Sequence, residues 1–325
     1  MKQQKVQRKI STKIAVILGG ILLVVFVGLS LVVTRLSEKA ADAAIHAELS
    51  NLAYANGKQA QAILDNVGVH AAALMDYVLK AYDQREPVIA SAEQGGQKSM
   101  VYDVAMSDLS IEKENYLVKS MWSAVLSNED LVGLGVYFEP GQFDEAVPDY
   151  TLYVNRPDAR ARIAESEGPY SEYSEQDYYK PAKDSLKPHY TDPYEEEGQE
   201  AGVIMVTAVY PILYHNQFRG VVLADINVGG FRKTTVTSAA YETLSSSILT
   251  DDFTIIYDSL SDEHTGLSLA EFENSPAEMR KIIDSAALGE PFACTTLHAD
   301  GQQMSQFFYP IRVGDKLWWA QTMIA

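Results

Sequence analysis

Tyrosines and carboxylates are concentrated in one part of the sequence, between Gly168 and Tyr214. Eight of the 19 tyrosines lie in this stretch. The tyrosines are Tyr170, Tyr173, Tyr178, Tyr179, Tyr190, Tyr194, Tyr210 and Tyr214, and the interleaved acids include Asp177, Asp184, Asp192, Glu195, Glu196 and Glu197. A tyrosine ring attracts a cation to its π face, and a carboxylate pairs with the same cation. The stretch is therefore a candidate pocket wall for an ammonium-bearing ligand; the alternative is that the rings pack against a sheet while the acids face water.

A second candidate is Asp225, which follows the apolar run Gly220–Ala224. A carboxylate in an apolar strand must be paired, hydrogen-bonded or placed at the mouth of a pocket, because an unpartnered buried charge is costly. The alternative is a structural role in which Asp225 holds the following turn through Asn227, since short polar side chains often bond nearby backbone groups.

Motifs of enzymatic catalysis are missing from the sequence. It contains no GxSxG, P-loop, HExxH or GxGxxG pattern, and its six histidines form no pair at metal-ligand spacing. We therefore expect a protein that is not an enzyme and that uses no catalytic residue, cofactor or metal.

Charge and composition restrict the partners. The chain has 26 basic and 44 acidic residues, and this net charge of −18 argues against a nucleic-acid surface. Hydrophobic residues make up 47% and charged residues 22% of the chain, as in proteins that bury a core. The single cysteine, Cys294, cannot form an intramolecular disulfide.

The elements that must position the candidate residues begin with an apolar N-terminal segment. Ile14–Val33 is 20 residues without a charge, which is long enough to span a bilayer as a helix. A cleaved signal peptide is the alternative, but its apolar region is normally shorter, at about 7–15 residues. Residues 1–13 carry five basic residues and no acid, so we expect a cytoplasmic tip at 1–13, a transmembrane helix at 14–33 and an acidic body outside.

A long helix is predicted to follow the membrane segment. From Leu36 to Gln84 the sequence keeps a helical rhythm without proline, and residues 34–99 are interpreted as a stalk helix and linker, with Pro87, Gly95 and Gly96 in the linker. Spacings of three and four residues place an apolar stripe on one face of this helix, which consists of Ile63, Val67, Ala71, Leu74 and Val78. An alanine-rich seam on this helix consists of Ala40, Ala44, Ala47, Ala55 and Ala62. Because small residues permit close approach of helices, the seam predicts a parallel homodimer.

Beyond the stalk, the hydrophobic period changes to that of strands and predicts two small modules, at residues 100–229 and 230–325. The first is expected to contain a helix over 105–127 and strands over 131–138, 150–155, 203–214 and 218–227. The second is expected to contain strands over 243–250, 253–259, 292–298, 302–313 and 316–324 and a helix over 275–288. The fold class is α+β. Because the sequence ends within the apolar run Trp318–Ala325, we expect it to be the N-terminal part of a longer protein.

The order of these pieces resembles the double Cache sensor region of bacterial methyl-accepting chemotaxis receptors and related sensor proteins. The resemblance rests on the anchor and long helix, Leu134–Asp144 (LGVYFEPGQFD), Asp177–Ala182 (DYYKPA), Tyr190–Tyr194 (YTDPY) and the segments Tyr210–Ile212 and Gly220–Ile226. It implies two stacked PAS-like modules with antiparallel sheets, the ligand lying in the membrane-distal one, and a sensor region on the outer side of a bacterial inner membrane.

The resemblance also implies roles for individual residues. In family members that bind amino acids the pattern is Arg-x-Trp-Tyr, then a tyrosine, then an aspartate. Tyr179 matches the first tyrosine, Tyr194 the second and Asp225 the aspartate, while Tyr178 stands at the tryptophan position and Gln176 at the arginine position. The arginine that would grip a ligand carboxylate is missing, and the ammonium-binding half is present.

The expected ligand is consequently an amine or a quaternary amine, or an amino acid held by other donors such as Arg160, Arg162 or Lys183. Tyr137, Tyr153 and Asp192 complete the predicted ligand-binding set with Tyr178, Tyr179, Tyr194 and Asp225. The leading interpretation is a chemoreceptor that signals to cytoplasmic partners through its missing C-terminal part. The alternatives are the sensor half of a histidine kinase or diguanylate cyclase, an anchored extracytoplasmic enzyme and a structural stalk protein.

Overall fold

The computed structural model describes residues 2–85, 97–195, 203–235, 241, 243–314 and 316–325, with side chains from Leu18 onward except at Gln84, Arg85 and Thr234. Residues 86–96 of the predicted linker, with Pro87, Gly95 and Gly96, and the acids Glu196 and Glu197 lie outside the described residues. The chain divides into two compact units, residues 1–51 and 52–325.

The first unit consists of the N-terminal part of helix α1, which runs over Lys2–Arg85. Its large apolar side chains face outward; Leu22 is 63% exposed and Phe26 73% exposed. Among the described residues, α1 is the one helix whose length and apolar composition would allow it to cross a membrane. The structure thus has the long apolar N-terminal helix that the sequence predicts.

In the second unit, α1 presents an apolar face to the rest of the protein. The predicted stripe of Ile63, Val67, Ala71, Leu74 and Val78 is buried along its whole length. Spacings of three and four residues place these side chains on one side of a helix, and their burial in the main core confirms that they form a packing face. Residues 52–85 of α1 are therefore a core helix of this unit.

The first module contains a six-stranded antiparallel sheet. Its strands are β1 (Leu131–Phe138), β2 (Thr151–Asn155), β3 (His189–Tyr190), β4 (Tyr194–Glu195), β5 (Ile204–Tyr214) and β6 (Gln217–Asn227), in the order β2-β1-β6-β5-β3 with β4 also paired to β5. Its helices are α2 (Asp108–Ser127), α3 (Arg156–Ala161), α4 (Tyr170–Tyr173), α5 (Lys180–Ser185) and α6 (Val228–Thr234). The tyrosine-rich stretch between Gly168 and Glu195 thus contains the two short helices α4 and α5 and the two short strands β3 and β4.

The two faces of this sheet have different contents, because successive side chains of a strand alternate between faces. Leu134 and Val136 of β1 join α1 and α2 in the main core. Tyr137, with Val221 and Leu223 of β6, belongs to a separate cluster on the opposite face, together with residues of α4 and α5. The opposite face is therefore the one covered by the tyrosine-rich segment.

The second module repeats this arrangement with five strands. They are β7 (Ser245–Leu249), β8 (Ile255–Asp258), β9 (Phe292–Leu297), β10 (Gln303–Val313) and β11 (Lys316–Ile324), in the antiparallel order β8-β7-β11-β10-β9. Helix α7 (Pro276–Ala286) and the 3₁₀ turns Asp262–His264 and Leu269–Glu271 belong to the same module. The predicted α+β class with two antiparallel sheets is confirmed.

Candidate functional site

Asp225 lies inside the first module, on the sheet face covered by the tyrosine-rich segment. In β6 it stands opposite Gly133 of β1 and Thr207 of β5, and it is 4% exposed. The Tyr153 hydroxyl donates to Asp225 Oδ2 at 2.6 Å, and the Thr207 hydroxyl donates to Oδ1 at 2.7 Å. Both carboxylate oxygens therefore accept a hydrogen bond from a neutral group.

In the structural alternative, Asp225 would form hydrogen bonds with the turn that follows β6. In the structure, a different residue bonds to this turn. The Asn227 side chain accepts from the Gly229 backbone N–H at 2.8 Å and so caps α6 itself. Asp225 instead binds across the sheet, to β2 through Tyr153 and to β5 through Thr207. Asp225 therefore belongs to a polar network across the sheet and does not hold the following turn.

Tyr194 extends this network toward the segment that covers the sheet. Its hydroxyl lies 2.7 Å from Thr207 Oγ1. Because Thr207 gives its single hydroxyl proton to Asp225, Tyr194 donates to Thr207. Tyr194, Thr207, Asp225 and Tyr153 thus form one continuous hydrogen-bonded chain across strands β4, β5, β6 and β2, in which each phenol and hydroxyl points its proton toward the carboxylate.

Two glycines create the space in which Tyr153 reaches Asp225. A Cβ atom on Gly133 would lie 2.2 Å from the Tyr153 hydroxyl oxygen, and one on Gly135 would lie 3.0 Å from the Tyr137 ring and 3.3 Å from the Tyr153 ring. Any larger residue at position 133 would displace the Tyr153 side chain. Glycine within a strand often marks such a close approach, which is the sequence signal that would have identified these positions.

An aromatic wall stands beside the network. Tyr137 contacts Tyr173 and Tyr178 edge to face, with ring centroids 5.6 and 5.8 Å apart. Burial raises the pKa of Glu167, a residue that the sequence analysis did not select, and the neighbouring Tyr137 hydroxyl opposes this rise. Tyr178 and Tyr194 are half-buried, whereas Tyr137 and Tyr153 are buried, so the first two lie nearer to solvent.

Tyr179 lies in the same aromatic cluster but uses its hydroxyl elsewhere. It is fully buried, and the hydroxyl donates to Glu139 Oε1 at 2.7 Å. Lys183 Nζ lies 2.9 Å from the same oxygen and also contacts the Tyr170 hydroxyl. Tyr179 therefore supports the wall, in contact with Tyr173 at a centroid distance of 5.3 Å, and directs its polar end to a separate ion pair.

Other predicted residues are placed away from Asp225. Asp192 lies between β3 and β4, at the edge of the sheet. There it lines a cavity of about 80 Å³ between the two modules, together with Asp251, Asp252 and Lys316. Arg162, proposed as an alternative carboxylate donor, lies over the Trp122 ring at 5.3 Å. Of the seven predicted ligand-binding residues, the structure brings Tyr137, Tyr153, Tyr178, Tyr194 and Asp225 together, keeps Tyr179 in the supporting cluster and separates Asp192.

The electrostatic state of Asp225 follows from its burial. Burial raises its pKa to about 6, the hydrogen bonds from Thr207 and Tyr153 oppose this rise, and the charge of Glu167 adds to it. The ion pairs formed within the described part of the chain include none to Asp225. At neutral pH the site therefore holds a buried negative charge that only neutral donors stabilise.

Comparison with known proteins places this geometry in context. Residues 117–233 match the family model described as the first PDC sensor domain of methyl-accepting chemotaxis protein-like proteins. No curated protein sequence shows significant similarity to the chain.

Solved structures share the fold over most of the chain. The periplasmic sensory domain of the Campylobacter jejuni chemoreceptor Tlp1 aligns with a TM-score of 0.62 at 10% identity and covers 85% of this chain and 93% of its own. The extracellular domain of the putative histidine kinase mmHK1S-Z2 aligns at 0.59 and 18% identity, covering 86% and 97%. The ligand-binding domain of the Pseudomonas aeruginosa PAO1 amino acid chemoreceptor PctB, in complex with L-Arg, aligns at 0.51 and 14% identity, covering 88% and 95%.

Proposed function

We propose that this protein senses a small ammonium-bearing ligand at Asp225. Two findings support the proposal: residues 117–233 match the model of the first PDC sensor domain of methyl-accepting chemotaxis protein-like proteins, and the chain shares its two-module fold with sensor domains of a chemoreceptor and a putative histidine kinase. The ligand is an amine, a quaternary amine or an amino acid. Its binding is read out across the membrane by a chemoreceptor of which this chain is the sensing region.

One observation carries the proposal: Asp225 is a buried carboxylate held by neutral donors alone. A ligand ammonium brought to this face supplies the opposite charge, and a charge pair in a desolvated site is worth more than one in water. The excess of acid in the chain adds a longer-range, salt-sensitive attraction for cations. Tyr178 and Tyr194, which lie nearer to solvent, offer ring faces or hydroxyls to the same group.

The other end of the ligand determines the choice between an amine and an amino acid. Gln176, at the position where the resemblance implies an arginine, is exposed, and Lys183 pairs with Glu139. A ligand carboxylate would therefore lack a nearby guanidinium at that position. This favours amines and quaternary amines, although the PctB domain in the comparison binds L-Arg.

The proposal also assigns a topology and a mode of assembly. The basic N-terminus lies in the cytoplasm, α1 crosses the inner membrane and both modules face the periplasm. Ala40, Ala44 and Ala47 are exposed on α1 and pair with their counterparts in a parallel homodimer. The protein performs no chemistry itself and passes its signal to cytoplasmic partners.

A second candidate is the sensing region of a membrane histidine kinase. It is supported by the fold of the mmHK1S-Z2 extracellular domain, which aligns over 97% of its length. Both candidates require the same ligand site, and they differ only in the cytoplasmic domain that the signal reaches.

Binding to the full chain in lipid nanodiscs tests the function. A thermal-shift screen with ethylamine, choline and the common L-amino acids selects a ligand, because binding to the folded state alone raises the melting temperature. Calorimetric titration then compares wild type with Asp225→Asn. Removing one partner of a buried charge pair costs about 2–5 kcal/mol, so the variant should bind at least about 30-fold more weakly.

Asp192→Asn is the matched control, because it removes a carboxylate from the same module at a site away from the network. It should bind within about twofold of wild type. A folded Asp225→Asn variant with wild-type affinity, or an Asp192→Asn variant with the larger loss, would contradict the assignment.

A further inference from the structure

The second module encloses a cavity of about 340 Å³. Its wall includes Ser245 and Ser247 of β7, Asp258 of β8 and Gln321 and Met323 of β11. The register aligns Ser247 with Asp258 and Gln321, and Ser245 with Met323, so these side chains share one face of the sheet. A cavity of this size is within the range of small-molecule sites and could hold about ten water molecules.

Most of the cavity wall is apolar. Leu260, Leu269 and Phe272 come from the segments between β8 and α7, and Met304 and Met323 come from the sheet. Leu269 is buried, whereas Leu260 is 62% exposed and stands at the margin. Such walls favour the apolar body of an organic molecule over a filling of water, because water in a cavity needs polar partners.

One polar group of the wall lacks a hydrogen bond within the described part of the chain. Ser245 Oγ has no partner among these residues, and Ser245 is 2% exposed. The other buried polar group, His298 Nε2, lies 3.4 Å from Glu273 Oε1, and Glu273 is not part of the cavity wall. Leaving a buried donor or acceptor unsatisfied costs free energy, so Ser245 favours a molecule that brings a hydrogen-bonding partner into the cavity.

The charges around the cavity favour an uncharged molecule. Asp258 accepts from the Leu260 backbone N–H at 2.8 Å and lies 2.8 Å from His264 Nδ1, so each of its oxygens has a partner. Asp300 is exposed to water. Among the described residues, the cavity wall contains no lysine or arginine, and an anionic ligand would find no counter-charge of that kind.

We propose that this cavity is a second ligand site, specific for a neutral small molecule with an apolar body and one hydroxyl or carbonyl group, which bonds to Ser245. The site is distinct from Asp225 in place and in chemistry. The protein would then sense two classes of compound, one in each module.

Ligand-observed NMR on the full chain in lipid nanodiscs tests this proposal with three probes of one shape. Cyclohexanol is neutral, cyclohexylammonium is a cation and cyclohexanecarboxylate is an anion. Saturation transfer to cyclohexanol is expected, with an affinity at least tenfold higher than that of either ion. No transfer to cyclohexanol up to its solubility limit, as for a cavity filled by water, would overturn the proposal, and so would tighter binding of an ion.

Variants locate the binding. Ser245→Ala removes one hydrogen-bonding group and should weaken cyclohexanol binding about threefold to tenfold. Leu260→Trp adds bulk at the exposed margin of the cavity and should abolish the binding, while Leu288→Trp, at a position of the same module that is 79% exposed and outside the cavity, should leave it unchanged. If Ser245→Ala does not fold, the comparison of the two tryptophan variants still shows whether cyclohexanol binds in this cavity.

The Asp225→Asn variant separates this site from the ammonium site. It should bind cyclohexanol as wild type does, whatever the outcome for amines. Cyclohexanol binding that is lost in Asp225→Asn, or retained in Leu260→Trp, would place the molecule outside this cavity and overturn the proposal.

Discussion

The two modules share one strand order and differ in what lies on the equivalent sheet face. In the first module, Tyr153 of β2 stands opposite Gly135 of β1, and its ring extends across the glycines to Asp225. In the second, Asp258 of β8 stands opposite Ser247 of β7, and the short side chains leave a cavity of about 340 Å³. The scaffold therefore fixes where a ligand-facing surface lies, and the side-chain sizes at a few paired positions decide whether that surface is filled or hollow.

Both modules contact α1 through apolar side chains and through hydrogen bonds. The first sheet contributes apolar side chains such as Leu134 to the core that contains the stripe on α1, and the Tyr82 hydroxyl of α1 donates to the Gln142 carbonyl at 3.1 Å. In the second module the Gln61 side chain donates to the Arg312 carbonyl at 3.0 Å and accepts from the Arg312 N–H at 2.7 Å. These two opposed bonds to one residue fix the register between α1 and β10.

The largest difference between the two faces should be their response to pH. The native pKa of Asp225 is raised to about 6, above the ordinary value of 3.8, so the folded protein binds this proton more tightly than the unfolded chain. The stability contributed by the protonated form is present below about pH 4 and is lost as the pH rises through about 6. A shift of about two units corresponds to about 3 kcal/mol.

Asp225→Asn removes this titration, so its stability relative to wild type should rise by about 3 kcal/mol between about pH 4 and pH 7. Thermal denaturation of both proteins across this pH range measures the difference, expected as several degrees in melting temperature. Parallel melting curves of variant and wild type at all pH values would mean that Asp225 is not an uncompensated buried charge. The sheet face with Asp225 and the cavity face of the second module would then differ only in how much space their side chains leave.

A smaller effect is expected from filling the space above Gly133. Gly133→Ala places a Cβ atom 2.2 Å from the Tyr153 hydroxyl, which must move away from Asp225. Overpacking of this kind costs about 1–3 kcal/mol, and amine binding should fall as well. The double variant Gly133→Ala/Tyr153→Leu should lose less stability than the sum of the two single changes, because the clash is removed; strict additivity would show that the two residues are not coupled.

The smallest effect concerns the polar contact of the second module. Gln61→Met keeps the length of the side chain and removes both bonds to Arg312, at a cost of about 1 kcal/mol. The melting temperature should fall by about 2–4 °C. Gln61→Glu retains the acceptor and loses the donor, so its melting temperature should lie between those of wild type and Gln61→Met. A Gln61→Met variant as stable as wild type would mean that the two bonds to Arg312 do not stabilise the packing of α1 against β10.

Much of this architecture could be predicted from local patterns. Alternating and continuous apolar runs gave strands such as 131–138 and 316–324 with their correct bounds, and the spacing along α1 identified its buried stripe. Asp225 was recognisable because a carboxylate is conspicuous in an apolar strand, and the structure shows the hydrogen-bond partners that such a buried carboxylate requires.

The remaining site residues depend on register, which the sequence does not show. Thr207 reaches Asp225 only because β5 and β6 pair at that position, and a shift of one residue would turn it to the opposite face. Gly133 contributes to the site only because the Tyr153 side chain lies over it, and the sequence does not show that contact. Asp192, predicted from composition, lies apart from Asp225 in the wall of the cavity between the modules, because composition alone does not show which way a short turn at a sheet edge faces.

Strand β7 has a consequence for how binding and signalling are linked. Its alternating side chains place Ser245 and Ser247 in the wall of the cavity and Ser246 on the reverse face, where Asn56 of α1 donates to its hydroxyl at 3.2 Å. A molecule in the cavity and the helix thus contact consecutive residues of one strand. Linkage is reciprocal: if occupancy of the cavity shifts α1 at Asn56, then a force applied to α1 must change the affinity of the cavity by the same free energy. The affinity of the cavity would then depend on any force that the helix carries, and restraining the helix would change that affinity.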